Sequence, residues 1–124
     1  PTVTAASCGL PAPTRTPPER MARFDIYANP HAPDRKHTPF VLDVQNDHLG
    51  PLGTRVVIPL RTARGFGTPA QGLNPMIDVA GQGLVVDTAS LAPVPVAMLK
   101  QPLHRADASR DDIQDALDAL FGSY

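Results

Sequence analysis

Short strand-like runs followed by one terminal helix predict a mostly β protein with a C-terminal α-helix, a small, largely antiparallel barrel or sandwich with the helix packed at one side. Three observations carry that prediction. The stretch Phe40 to Leu60, FVLDVQNDHLGPLGTRVVIPL, holds the two densest strand patterns in the chain, on either side of a turn-rich connection. Met76 to Asp87 holds a second pair of strand-like runs around Ala80-Gly81-Gln82-Gly83. Only after Ser109 does the apolar spacing change from alternation to the helical period of about 3.6 residues.

Residues 1–20 hold Pro1, Pro11, Pro13, Pro17 and Pro18 among several Thr and Ala, with no apolar periodicity. Such a segment cannot bury enough surface to offset the entropy of ordering it, so it reads as a disordered tail. Met21 follows at once and opens the patterned region; it reads as a natural start, with the tail an upstream extension and residues 21–124 the folded domain. Arg23-Phe24-Asp25-Ile26-Tyr27-Ala28 alternates, with Phe24, Ile26 and Ala28 on one face, and predicts a half-buried first strand. Residues 29–39, with three prolines and two histidines, form a loop. Phe40 to Gln45 follows as a strand covered on both sides, because Val41 adds apolar surface opposite Phe40, Leu42 and Val44.

Asn46, Asp47, Gly50, Pro51 and Gly53 supply turn chemistry, and Arg55 to Ile58 is the expected antiparallel partner. Pro59 lacks an N–H and is expected at an edge, a bulge or the strand's end. Arg61 to Arg64 suits a short helical turn, which Gly65, Gly67 and Pro69 prevent from extending. Met76 to Val79 and Leu84 to Asp87 read as a hairpin with a four-residue loop, and Leu91 to Leu99, LAPVPVAML, as an edge strand interrupted by prolines. Ser109 is suited to an N-cap with Asp112 reaching back to it. Ile113, Ala116, Leu117, Leu120 and Phe121 then make one apolar stripe, and Gly122 suits the left-handed residue after the helix.

A chain of 124 residues is one domain able to bury about two thirds of its extended surface. Cys8 is the only cysteine, so there is no internal disulfide and no cysteine zinc site, which fits a reducing cytoplasm. Eleven Lys+Arg against twelve Asp+Glu leave no global positive field for nucleic acid or anionic lipid. The apolar runs fall well short of the roughly 20 residues of a membrane-spanning helix, and no basic-then-apolar leader is visible. No nucleic-acid binding by the protein alone, no membrane partner, no metal and no cofactor are expected. His31, Asp34 and His37 share a His-x-x-Asp-x-x-His spacing, but a proline-rich loop has no fixed face on which ligands converge. Ser7 and Cys8 lack a nucleophile-elbow context. Gly65-x-Gly67 lacks the strand before it and the helix after it that a phosphate loop needs.

Six matching stretches occur in a fixed order: RFDIY (23–27), FVLDVQND (40–47), VVIPL (56–60), Ala63-Arg64, DTASLAPVPVAM (87–98) and DDIQDALDALF (111–121). In order, spacing and chain end they resemble the CcdB family of toxins from bacterial toxin–antitoxin modules. The resemblance implies an SH3-like barrel with a C-terminal helix, a homodimer formed around that helix, and no catalytic chemistry. It also implies binding to the A subunit of DNA gyrase, trapping of that enzyme on cleaved DNA, and neutralisation by a CcdA-like antitoxin. Carried over by position, the gyrase-binding residues would be Asn46, His48 and Leu49, then Asp115 and Asp118, then Phe121, Gly122, Ser123 and Tyr124.

The sequence departs from the family at its end. Gyrase-poisoning members finish Phe-Trp-Gly-Ile, whereas this chain finishes Phe121-Gly122-Ser123-Tyr124 and has no tryptophan. Tyr124 offers a π face worth about 0.5–2 kcal/mol to a cation, two positions later. Asp111, Asp115 and Asp118 make an acidic helix row that reads either as a solvated face or as a partner-binding one. Phe121 suits core or dimer packing as well as partner contact. Two other readings stand beside gyrase poisoning. One is an antitoxin-binding homologue with a changed or lost target. The other is a MazF-type endoribonuclease on the same barrel, with Arg61, Arg64 and His48 in catalytic roles, against which stands the missing Arg-Pro strand signature.

Overall fold

The central pair sets the frame. In the computed structural model, which describes residues 22–47 and 52–122, strand β2 (Phe40–Asp43) runs antiparallel to β3 (Thr54–Thr62), with Leu42 opposite Ile58. Outside the described residues lie the expected tail, Met21, His48 to Pro51 of the expected central turn, and Ser123 and Tyr124. Strand β1 (Asp25–Ala28) pairs with the other side of β2, and β3 in turn pairs with β5 (Gln82–Val86) and β6 (Ala92–Pro95). Strand β4 (Met76–Val79) flanks β5 and β7 (His104–Arg105) flanks β1, every pairing antiparallel. The order β4-β5-β3-β2-β1-β7, with β6 on β3, curls into a nearly closed SH3-like barrel.

Strand alternation sorts the side chains into two clusters. Ile26, Leu42, Ile58 and Leu60 meet Ile113 and Leu117 of the C-terminal helix in the main core, whereas Tyr27, Val41 and Val57 point oppositely and are closed over by Leu99. A fully buried Leu, Ile or Val adds roughly 1.5–3 kcal/mol, so covering both faces makes these strands the stable centre. The first strand is therefore not half-buried: Asp25 and Tyr27, on its supposed open face, are fully buried. It also starts later than the alternation indicates, because Phe24 takes a left-handed φ of 73°. The Phe24 N–H donates to the Asp43 carbonyl at 2.7 Å, and its own carbonyl accepts from Ala106 N–H at 2.9 Å. Those two bonds and a buried ring hold a conformation that bulky residues otherwise avoid.

Pro59 departs from expectation as well, lying inside β3 opposite Val41. It is tolerated because the neighbour of β3 changes there: Thr54–Val57 pairs with β6 and Leu60–Thr62 with β5. A missing N–H at that break costs no ladder bond, and the Pro59 carbonyl still accepts from Asp87 N–H at 3.1 Å. The β4–β5 connection is tighter than expected. Only Ala80 and Gly81 turn, at φ of 53° and 86°, while Gln82 and Gly83 belong to β5. Positive φ at both positions twists the turn in the sense the strands require. Arg61 and Thr62 extend β3, and the short helix α1 (Ala63–Phe66) is capped by the Thr62 side chain, which accepts from Gly65 N–H. Strand β7 is too short to show any period in sequence.

Helix α2 (Arg110–Phe121) ends as expected, with Gly122 left-handed at φ 74° and its N–H donated to the Asp118 carbonyl. It begins differently. Ser109 makes no side-chain cap bond; a 3-10 turn over Asp107–Ser109 leads in instead. Of the apolar stripe, Ile113, Ala116 and Leu117 are buried, Leu120 is half-buried and Phe121 is 68% exposed. The stripe therefore runs off the core at its C-terminal end.

Candidate functional site

The end of β2 is built to open a groove. At the last residue of the strand, the Asp43 carboxylate accepts from Gln45 N–H at 3.0 Å and from Arg55 Nε and Nη2 at 2.8 and 3.0 Å. Gln45 then replaces a ladder bond with its side chain, Oε1 accepting from Val56 N–H at 3.0 Å. Both groups of the Asp43–Arg55 pair are buried. Burial pushes the Asp43 carboxyl above its ordinary value, with Arg55 pulling back, whereas bonds to Asp43 and Asp47 more than offset the cost of burying the Arg55 charge. The forked geometry is that of an ionised pair, and it pins the base of the loop.

The helix is tied to the same point. Arg23 Nε donates to the Val44 carbonyl at 3.1 Å and Arg23 Nη2 to Gln114 Oε1 at 2.8 Å, while Gln114 Nε2 donates to Asp118 Oδ1 at 3.0 Å. Between these elements lies a groove of about 550 Å³. Val44, Gln45 and Asn46 form one wall, Leu52, Thr54 and Val56 a second, and Gln114, Leu117, Asp118 and Phe121 the helical side. Leu52 and Phe121 are exposed apolar side chains, and Asp118 is the charged group among the lining residues. The arrangement can grip an apolar segment and hold a cation at Asp118.

Of the residues expected on the partner face, Asn46, Asp118 and Phe121 come together on this groove. Asp115 is exposed on α2 but does not line it, and Gly122 is exposed at the helix end. His48, Leu49, Ser123 and Tyr124 lie outside the described residues. The acidic row does not act as one face: Asp111 lines a neighbouring groove of about 400 Å³ with Arg23, Phe24, Asp47 and Arg110. Arg23 and Arg110 stand over the Phe24 ring, at 4.8 and 5.4 Å from its centroid. Arg105 closes the far end, donating to Asp25 at 2.6 Å and to both oxygens of Asp107, which holds its charge firmly and the Asp107 carboxyl below its ordinary range.

Sequence reasoning passed over Gln45, Gln114 and Arg23 as site residues. Gln45 reads as the last residue of a strand, and Arg23 meets Gln114 across 91 positions, a contact with no local signal. Arg61 is engaged elsewhere, donating to Asp87 at 2.6 Å and to Thr38 Oγ1 at 2.9 Å. His31 and Asp34 stand 3.8 Å apart and exposed, and among the described residues no group of three His, Cys, Asp or Glu could hold a metal ion. No described helix is long and apolar enough to cross a membrane. In a comparison with known families, a family model described as CcdB protein matches residues 23–122.

Proposed function

The chain belongs to the CcdB family, and from that membership we propose that it is a toxin that docks on the A subunit of DNA gyrase and traps the enzyme on cleaved DNA. Membership of the family makes it a toxin acting with an antitoxin partner. The observation that supports gyrase as its target is the convergence of Asn46, Asp118 and Phe121 on a single groove whose charged member is acidic. An exposed aromatic beside a carboxylate suits an arginine-bearing apolar surface, because guanidinium both pairs with carboxylate and stacks on rings. The protein acts without catalysis, as a cytoplasmic homodimer formed around α2, and is released from its target by a CcdA-like antitoxin. Residues 21–124 are the toxin domain and 1–20 a tail.

Purified protein incubated with gyrase, ATP and supercoiled plasmid should give linear DNA after detergent and protease. No linear DNA, from a folded protein with gyrase of the matching host, would overturn this reading. One observation favours a second reading, a changed or lost target: the chain has no tryptophan to serve as the stacking anchor. Interface energy concentrates in a few anchors, so losing one can redirect binding. Endoribonuclease action draws less support, since Arg61 is held by Asp87 and Thr38.

A further inference from the structure

The groove beside α2 contains a buried hydrogen-bond donor in want of an acceptor. Gln45 lines the groove at 5% exposure; its Oε1 is taken by Val56 N–H, and its Nε2 has no partner among the described residues. The amide is not simply reversed, because Val56 N–H requires the oxygen where it is. A buried donor left unpaired is costly, so an acceptor brought to it gains more than an ordinary hydrogen bond would. Leu52 and Phe121 flank the same groove at 47% and 68% exposure, and exposed side chains change rotamer readily, which gives an acceptor its way in. On the helical side Asp118 accepts from the neutral Gln114 amide at 3.0 Å, and among the described residues no cation pairs with it. A fitting occupant is apolar, brings a free acceptor and carries a cation.

Backbone carbonyls are the most abundant acceptors in a protein partner, and the groove discriminates between the segments that offer them. An extended segment brings N–H and C=O groups in equal number, and each N–H buried in the groove needs an acceptor of its own. Among the described residues no buried side-chain acceptor is left without a partner; the unpaired atom is a donor. The last turn of a helix differs. Its N–H groups are bonded within the helix, while its final four carbonyls are free. The negative end of the helix dipole also favours Lys or Arg in that turn, the charge that Asp118 can meet. An apolar helix end with a basic residue therefore matches the apolar walls, the unpaired donor and the acidic side together.

We propose that the groove between the end of β2 and the C-terminal half of α2 receives the C-terminal turn of a partner helix. Gln45 Nε2 donates to one of its free carbonyls, and Asp118 pairs with a Lys or Arg of the same turn. Gln45 is thus a specificity-determining residue of the face shared by Asn46, Asp118 and Phe121. Taking the A subunit of gyrase as the bearer of that helix rests on the proposed function. The test uses the full-length chain and purified gyrase A subunit. Gln45→Glu keeps an oxygen for Val56 N–H and exchanges the donor for an acceptor. It should bind at least tenfold more weakly than the parent, while the Val56 amide stays protected from hydrogen exchange. Asp118→Asn keeps an acceptor for Gln114, and should bind more weakly and with less dependence on salt. A photocrosslinking residue, benzoylphenylalanine in place of Leu52 at the groove's rim, gives a readout that does not need Gln45→Glu to fold. Irradiation should join it to the last turn of a gyrase helix beside a Lys or Arg. Equal binding by the parent and Gln45→Glu would overturn the proposal and leave gyrase as the target. So would cross-links to a strand, a loop or a helix interior of the A subunit. Cross-links to a second copy of this chain in place of gyrase would overturn it too, assigning the groove to a contact between protomers. A parent protein that fails to bind the A subunit at all would overturn the proposed function and this inference together.

Discussion

Asp43 and Arg55 show how single residues shape the site. Asp43 is fully buried, and Arg55 is its forked partner from β3. Breaking such a pair leaves a buried charge without its counterion, so Arg55→Met should cost about 3–5 kcal/mol in chemical denaturation. The pH dependence follows from the direction of the shift. Burial already raises the Asp43 carboxyl above 3.8 with Arg55 opposing, so removing Arg55 raises it further. A raised carboxyl holds its proton more tightly when folded, so the variant should be least destabilised below about pH 4 and lose stability as pH rises through the shifted value. A variant that unfolds like the parent at every pH would show that the pair does not support the loop. Phe24 makes a related point: its left-handed backbone is held by bonds to Asp43 and Ala106, partners distant in the chain.

At the scale of elements, α2 is both a wall of the core and a wall of the groove. Ile113 and Leu117 join the main core, Ala116 is buried beside them, and Asp118 and Phe121 face the groove. Ala116→Pro removes a helical hydrogen bond and clashes with the preceding turn, at about 3 kcal/mol or more. The denaturation midpoint should fall accordingly, and sedimentation should show loss of the proposed dimer. An unchanged midpoint and mass would mean that α2 is peripheral. Strand β3 answers differently to proline. Pro59 sits mid-strand without penalty because the pairing partner changes from β6 to β5 at that point. The same residue type is harmful or harmless according to whether an N–H was needed there.

For the whole molecule, the exposed end of the helical stripe separates stability from function. Phe121 is 68% exposed, so Phe121→Ala should shift stability by no more than about 0.5 kcal/mol. It should nonetheless weaken gyrase binding at least tenfold in a direct binding assay, while the barrel keeps its circular dichroism spectrum. Equal binding by the variant would place the contact elsewhere. Much of this architecture could be read from the chain. The hydrophobic period, Gly81 between the two strand-like runs of 76–87, and Gly122 after the last apolar turn are local signals, and local geometry obeys them. They identified the strands of the barrel except β7, and the terminal helix; Asn46, Asp118 and Phe121, the three expected residues that share the groove, came from the family resemblance. Other features were not legible: the coverage of β1 on both faces, the tolerance of Pro59, the Arg23–Gln114–Asp118 chain and the unpaired amide of Gln45. Each depends on which distant segments meet, and such contacts leave no period in the sequence. Kind and order of elements follow from neighbours in the chain; the groove and its polar lining follow from neighbours in space.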